Sequence, residues 1–234
     1  MFKKKILPII IFILLVCTMA YFPYIPMKLF NIKYNDFNMT LKILYTLFCD
    51  IGFIIILFLI YKNKLKKDFK DYIKDFANNF EQSFKYYFIG VIIMIVSNLI
   101  IALCFTSANA NNEEAVRNLI DIAPLYMLFS VSIYAPFVEE LIFRHSIRNC
   151  FNYDNNKISK YLYIFTSGFI FAAMHILGQV TNNLDYLFII PYMSLGVAFS
   201  ALYYKTNNIF SSISMHSLHN TVTIILYLIA GGVI

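Results

Sequence analysis

The sequence predicts an all-α, polytopic transmembrane bundle of about seven or eight membrane helices. Three observations predict it. Hydrophobic residues fill 60% of the 234 positions and charged residues only 14%, whereas water-exposed folds carry about 25% charged and 45–50% apolar residues. The apolar residues come in runs of about 20, the length a helix needs to cross a bilayer. The lysines gather between those runs. There is no internal repeat and no Gly/Ser-rich linker, so residues 1–234 are expected to form one integral membrane domain.

The first predicted span runs from about Ile6 to Phe22 behind Lys3, Lys4 and Lys5. A basic start before an apolar run also suits a signal peptide. The run is long for that, has no clear small-x-small cleavage site and is followed by more spans, so an uncleaved anchor is expected. The second span covers about Leu41–Tyr61, the third Tyr86–Thr106, and the fourth Pro124 to about Cys150. The fifth covers about Ser159–Leu177, the sixth Leu184–Tyr204 and the seventh Ile209–Ile229. Between the second and third, residues 61–85 mix Lys, Asp, Phe and Tyr. They suit either a helix lying in the membrane interface or a solvated loop.

The formal charge of +6 is read as membrane orientation and attraction to anionic headgroups, with no nucleic-acid partner. Lys3–Lys5, the lysines from Lys62 to Lys74, Arg144, Arg148, Lys157, Lys160 and Lys205 follow the positive-inside rule if the N-terminus is cytoplasmic and the C-terminus outside. The stretch from Ser107 to Ala123, with Glu113, Glu114 and Asp121 against Arg117, then lies outside; Lys28 and Lys33 are a mild exception. The expected location is the cell membrane, multi-pass. Cys17, Cys49, Cys104 and Cys150 sit in or beside apolar segments without a CxxC pattern and read as small apolar residues. Richness in Ile, Asn, Lys, Phe and Tyr points to an AT-rich, bacterial genome.

Three polar clusters interrupt the apolar runs. The first holds Glu139, Glu140 and Arg144. A carboxylate at the bilayer centre costs roughly 2.5–3.5 kcal/mol on the insertion scale, so two in succession need a partner or a use. Glu140 and Arg144 are four apart and can pair along one helix face. Glu139 points about 100° away and is left unpaired. Pro136 removes a backbone donor and can kink the helix beside it. Both glutamates could instead mark a cytoplasmic helix end, although Leu141, Ile142 and Phe143 follow them. The second cluster is Phe171-Ala172-Ala173-Met174-His175. A lone histidine in an apolar helix is ordinarily a packing residue. The third is His216-Ser217-Leu218-His219-Asn220, in which His216 and Asn220 share a face; with Ser211, Ser212 and Ser214 it makes the last span polar on one side.

These clusters, in this order on separate spans, resemble the signature of the CPBP family: Glu-Glu-x-x-x-Arg, Phe-x-x-x-His, then His-x-x-x-Asn or Asp. That family takes in the type II CAAX-prenyl proteases and bacteriocin-processing relatives once grouped as abortive-infection proteins. The motif-bearing core is about residues 124–220. The resemblance implies that Glu139 activates water with His175, that His216 and Asn220 lie near the oxyanion, and that Glu140 and Arg144 support them; His219 is outside the pattern. The implied activity is an intramembrane endopeptidase acting near the cytoplasmic face on a peptide or protein substrate.

Peptide hydrolysis needs a base for water, an acid for the leaving amine and donors for the oxyanion, and these residue types supply them. No cofactor is expected. Glu139, His175 and His216 could also supply three zinc ligands, although there is no HExxH helix. A non-catalytic bacteriocin self-immunity or regulatory protein of the same fold is the alternative, followed by a proton-coupled transporter. Prenylated CAAX proteins are a eukaryotic substrate class, which a bacterial chain would not meet. One feature runs against a closed site. Counted from a turn near Asp154, Glu139 lies 15 residues before and His175 21 after, a depth offset of roughly 9 Å for straight upright helices.

Overall fold

The computed structural model describes residues 3–105, 108, 110–151 and 157–231. Thr106, Ser107 and Asp154, which bound predicted segments, lie outside the described residues. Helices occupy all seven predicted spans: α1 Lys3–Tyr21, α3 Met39–Lys74, α4 Phe76–Cys104, α6 Pro124–Asn149, α7 Lys157–Ile176, α8 Asn183–Thr206 and α9 Ile209–Ile229. Two shorter helices connect them, α2 Tyr24–Leu29 and α5 Asn111–Ile122. By length and composition α3, α4, α6 and α8 can each cross a membrane, and Ile6–Tyr21 is apolar but shorter.

Residues 62–74 settle as helix. Asn38 caps α3 by accepting from the Leu41 amide, and the helix then runs 36 residues with one non-helical residue, Tyr61. At 1.5 Å per residue that is about 54 Å, against a hydrocarbon core of about 30 Å. The basic half beyond Tyr61 therefore extends past the apolar layer. Its end is tied down where Asp68 accepts from Lys64 Nζ at 2.8 Å and from the Ile209 amide at 2.8 Å. At the same end of the bundle Tyr61 meets Ser146 at 3.0 Å and Arg148 donates to the Tyr203 carbonyl at 3.1 Å. His145, absent from the predicted clusters, also lies here, 2.7 Å from the Tyr203 hydroxyl.

A second set of polar contacts ties the opposite end. Asn111 donates to Asp185 at 2.9 Å, Asn112 to the Tyr192 hydroxyl at 3.1 Å, and the Tyr227 hydroxyl to Asp121 at 3.0 Å. Helix α5 belongs to this end. The acidic stretch there, expected only as a connection, has apolar residues on one face, burying Ile120 against Met127, Ile224 and Tyr227.

The bundle is apolar outside and holds its buried polar side chains within. Ile89, Ile93, Val96, Leu99 and Leu103 on α4 are exposed, while Glu140, Arg144, Ser167, Ser200, Ser211, Ser212 and His216 are buried. Lipid, not water, is the solvent this surface suits. Helices α7 and α8 approach closely because glycine meets glycine: a Cβ on Gly196 would stand 2.8 Å from the Gly168 carbonyl oxygen and 2.9 Å from its Cα. Beside that crossing Ser167 donates to the Phe143 carbonyl at 2.7 Å and lies 2.7 Å from Ser200, which locks α6, α7 and α8 together.

Candidate active site

Helix α6 is irregular around Glu139 and Glu140. It widens to π geometry over Ser130–Tyr134 and again over Glu140–Ser146, with a short α segment, Ala135–Glu139, between them. Pro136 explains the first. It has no N–H, so the carbonyls that a regular α or π turn would pair with it, those of Ser132 and Val131, lose their donor. Helix α9 supplies replacements: Ser217 Oγ donates to the Ser132 carbonyl, and Asn220 Nδ2 donates to the Val131 carbonyl at 2.8 Å. Pro136 on one helix thus fixes how the other presents His216, which directly precedes the Ser217 anchor. Pro136 and the polar face of the last span are each legible in the sequence, but their connection is not; its signal is the pair of donors, Ser217 and Asn220, three residues apart on one face opposite a proline.

Ser217→Ala removes one of these donors and leaves a carbonyl without its partner. The expected cost is about 1–3 kcal/mol, read as a lower unfolding midpoint in detergent. Unchanged stability would show that the anchor carries no weight.

His175 occupies the last turn of α7. Its Nδ1 lies 2.9 Å from the Phe171 carbonyl, and its ring sits between Phe171 at 4.4 Å and Tyr192 at 4.9 Å. His216 Nδ1 lies 2.9 Å from Glu140 Oε1, and its ring stacks on Phe199 at 5.3 Å. In both rings the Nδ1 partner is an acceptor, so Nδ1 carries the hydrogen and Nε2 of the neutral ring carries a lone pair. Both Nε2 atoms face Glu139: its Oε2 is 4.0 Å from that of His175 and 3.9 Å from that of His216. Glu139 Oε2 has no hydrogen-bond partner among the described residues. Three acceptors converge with at most one hydrogen among them, a proton on Glu139.

The predicted depth offset between Glu139 and His175 is therefore absent. The offset follows only from straight, upright helices, and the Glu139–His175 approach shows that α6 and α7 do not run so.

Glu140 is fully buried and does two things at once. Besides orienting His216, its Oε2 lies 3.1 Å from Arg144 Nε, the pairing expected from their spacing. The contact is not the forked one expected of an arginine. The three guanidinium nitrogens make no well-aligned hydrogen bond among the described residues. The guanidinium instead lies over the Phe171 ring at 4.4 Å, with Phe199 at 5.8 Å. Arg144 and His175 thus share the Phe171 ring as a wall.

A cavity of about 480 Å³ adjoins these groups and is lined by Glu139, His175, His216 and Asn220 among others, within the usual range for a ligand site. His219 also lines it, with its Nδ1 3.4 Å from the Tyr87 hydroxyl. Its outer part is formed by Glu113 and Arg117 of α5, which pair at 2.7 Å and keep 44% and 35% of their side chains exposed. The cavity lies at the α5 end of the bundle. A cavity open to the cytoplasm and a cytoplasmic N-terminus were both expected. They do not hold together in this fold, because α1 begins at the lysine-rich end and the cavity is at the other. Charge patterning orders the connections, but which end of a bundle is hollow depends on packing.

Residues 121–222 match the family described as Type II CAAX prenyl endopeptidase Rce1-like. The chain is also similar to a protein of Bacillus subtilis (strain 168) named "Putative membrane peptidase YdiL", at 31% identity over 119 residues. That match covers 51% of this chain and 44% of the relative's length. No solved structure matches the chain.

Proposed function

We propose, from the match of residues 121–222 to the Type II CAAX prenyl endopeptidase Rce1-like family, that this multi-pass membrane protein is an endopeptidase that hydrolyses peptide bonds with an activated water. The observation that carries the reading is the convergence of Glu139 Oε2 with Nε2 of two histidines, each held in the acceptor tautomer by a partner on its other nitrogen.

A water suits that gap. Two hydrogen bonds of about 2.8 Å span 4.0 Å at an angle of about 90°, and water brings two hydrogens, one for the Glu139 carboxylate and one for His175. Glu139 takes the proton as the water oxygen attacks the substrate carbonyl, with His175 Nε2 holding the second hydrogen. The same carboxyl then returns the proton to the leaving amine as the C–N bond breaks, giving a carboxylic acid and an amine. The second amide hydrogen of Asn220 is available to donate to the oxyanion, with His216 beside it. Zinc suits the set less well. Bonds of about 2.0 Å in a tetrahedron place two donor atoms about 3.3 Å apart, shorter than the 3.9 and 4.0 Å here. Among the described residues no group of three His, Cys, Asp or Glu side chains has metal-binding geometry.

The test is purified protein in detergent with a panel of apolar-centred peptides. Cleavage is expected, with loss of about 10²-fold or more in His175→Ala and no loss after exhaustive treatment with a strong chelator. Activity that disappears on chelation and returns with zinc would replace the metal-free mechanism. A partner-binding function that survives loss of Glu139, His175 and His216 would instead indicate an immunity or regulatory protein.

A further inference from the structure

The cationic side chains are divided unevenly between the two ends of the bundle. The six lysines from Lys62 to Lys74 extend from α3, Arg148 ends α6, Lys157 and Lys160 open α7, and Lys205 closes α8. The contacts of Asp68, Tyr203 and Ser146 put these segments at one end. Helix α1 begins there too, since its far end is where Tyr45, early in α3, donates to the Pro23 carbonyl. The other end has Lys28, Lys33, Lys42 and Arg117 set against Asp36, Glu113, Glu114, Asp121 and Asp185. Short connections rich in Lys and Arg stay in the cytoplasm. The cavity is at the poorer end: Glu113 and Arg117 form its exposed rim, and Tyr192 and Tyr227, both tied to that end, line it. Its described lining includes nothing from residues 61–74, 146–160 or 203–209.

We propose that the lysine-rich end sits in the cytoplasm and that the cavity opens on the opposite, extracytoplasmic side. The substrate is then a peptide segment reached from outside, apolar where it is cut, and not a cytoplasmic tail. The substrate half of this rests on the peptidase reading; the orientation half rests on charge and the cavity's position alone. Val116, Ile120, Leu195 and Phe199 make the walls apolar, while the exposed Glu113–Arg117 pair offers both charges to whatever polar chain flanks the apolar segment.

Orientation is read without any activity. In the full chain with Cys17, Cys49, Cys104 and Cys150 replaced by serine, Glu114→Cys on α5 and Lys66→Cys on α3 each give one exposed thiol. A membrane-impermeant maleimide should label Glu114→Cys in intact bacterial cells and Lys66→Cys only after permeabilisation. The reverse pattern overturns the proposal. Alkaline phosphatase fused after Ile234 of the otherwise unaltered chain should be active, because α9 ends at the α5 side; an inactive fusion, with a fluorescent cytoplasmic reporter bright at the same position, would count equally against it. Sealed right-side-out vesicles should then cleave an added impermeant peptide with an apolar centre, and inside-out vesicles should not. Cleavage by inside-out vesicles alone overturns the proposal. Labelling as expected with cleavage by neither vesicle removes the peptidase reading and, with it, the substrate half.

Discussion

Glu139→Gln is expected to lower peptide hydrolysis by about 10³-fold, within the 10²–10⁴ range for a positioned general base, while leaving the unfolding midpoint in detergent nearly unchanged. The two effects separate because of where the carboxylate points. Glu139 Oε2 has no hydrogen-bond partner among the described residues, and the two Nε2 atoms stand 3.9 and 4.0 Å away. An amide of the same shape breaks no close contact and can turn its N–H toward an Nε2. It cannot take a proton from water. Activity within a few fold of the unaltered protein would show that another group acts as base. A large fall in stability would show that Glu139 is a structural residue.

Arg144→Ala should have the opposite profile, with stability collapsing first. Arg144 and Glu140 are both fully buried, and removing one member of a buried ion pair costs about 3–5 kcal/mol because the other charge is left uncompensated. The loss is compounded here. The guanidinium over Phe171 is part of the wall that the His175 ring also uses, and Glu140 is the acceptor that orients His216. Arg144→Lys keeps the charge and loses the flat cation, so it should fall between the two, with activity reduced more than stability. Thermal unfolding in detergent and membrane accumulation measure the first effect, and peptide hydrolysis the second. Native-like accumulation and activity in Arg144→Ala would show that the pair is dispensable.

The membrane class, the helical spans and the three polar clusters are legible in the sequence because each has a local cause. An apolar run about 20 residues long has few other uses, and Glu139, Glu140, His175 and His216 are too costly in lipid to be incidental. The four-residue spacing of Glu140 and Arg144 foretells their contact for the same reason. What the sequence conceals is decided between helices. The π stretches of α6 persist because Ser217, Asn220 and Ser167 on other helices bond its carbonyls, and a helix read alone does not show its donors. Arg144 reads as half of an ion pair along one helix face, and only the placement of Phe171 and Phe199 sets it as a flat cation between rings. The helix at Asn111–Ile122 is hidden by its charge, which reads as a connection until Ile120 is seen against Tyr227.

The tautomers of the two histidines bear on what could inhibit such a protein. Warheads made for metalloproteases, such as thiolates and carboxylates, bring lone pairs and negative charge. Between Glu139, His175 and His216 they would meet lone pairs already facing inward, with repulsion in place of coordination. A compound that suits this gap brings hydrogens: a neutral gem-diol, such as a hydrated ketone within an apolar peptide mimic, offers one hydroxyl to the carboxylate and the other to an imidazole. The selectivity of an inhibitor series would then follow the number of donors each head group carries, not its affinity for zinc.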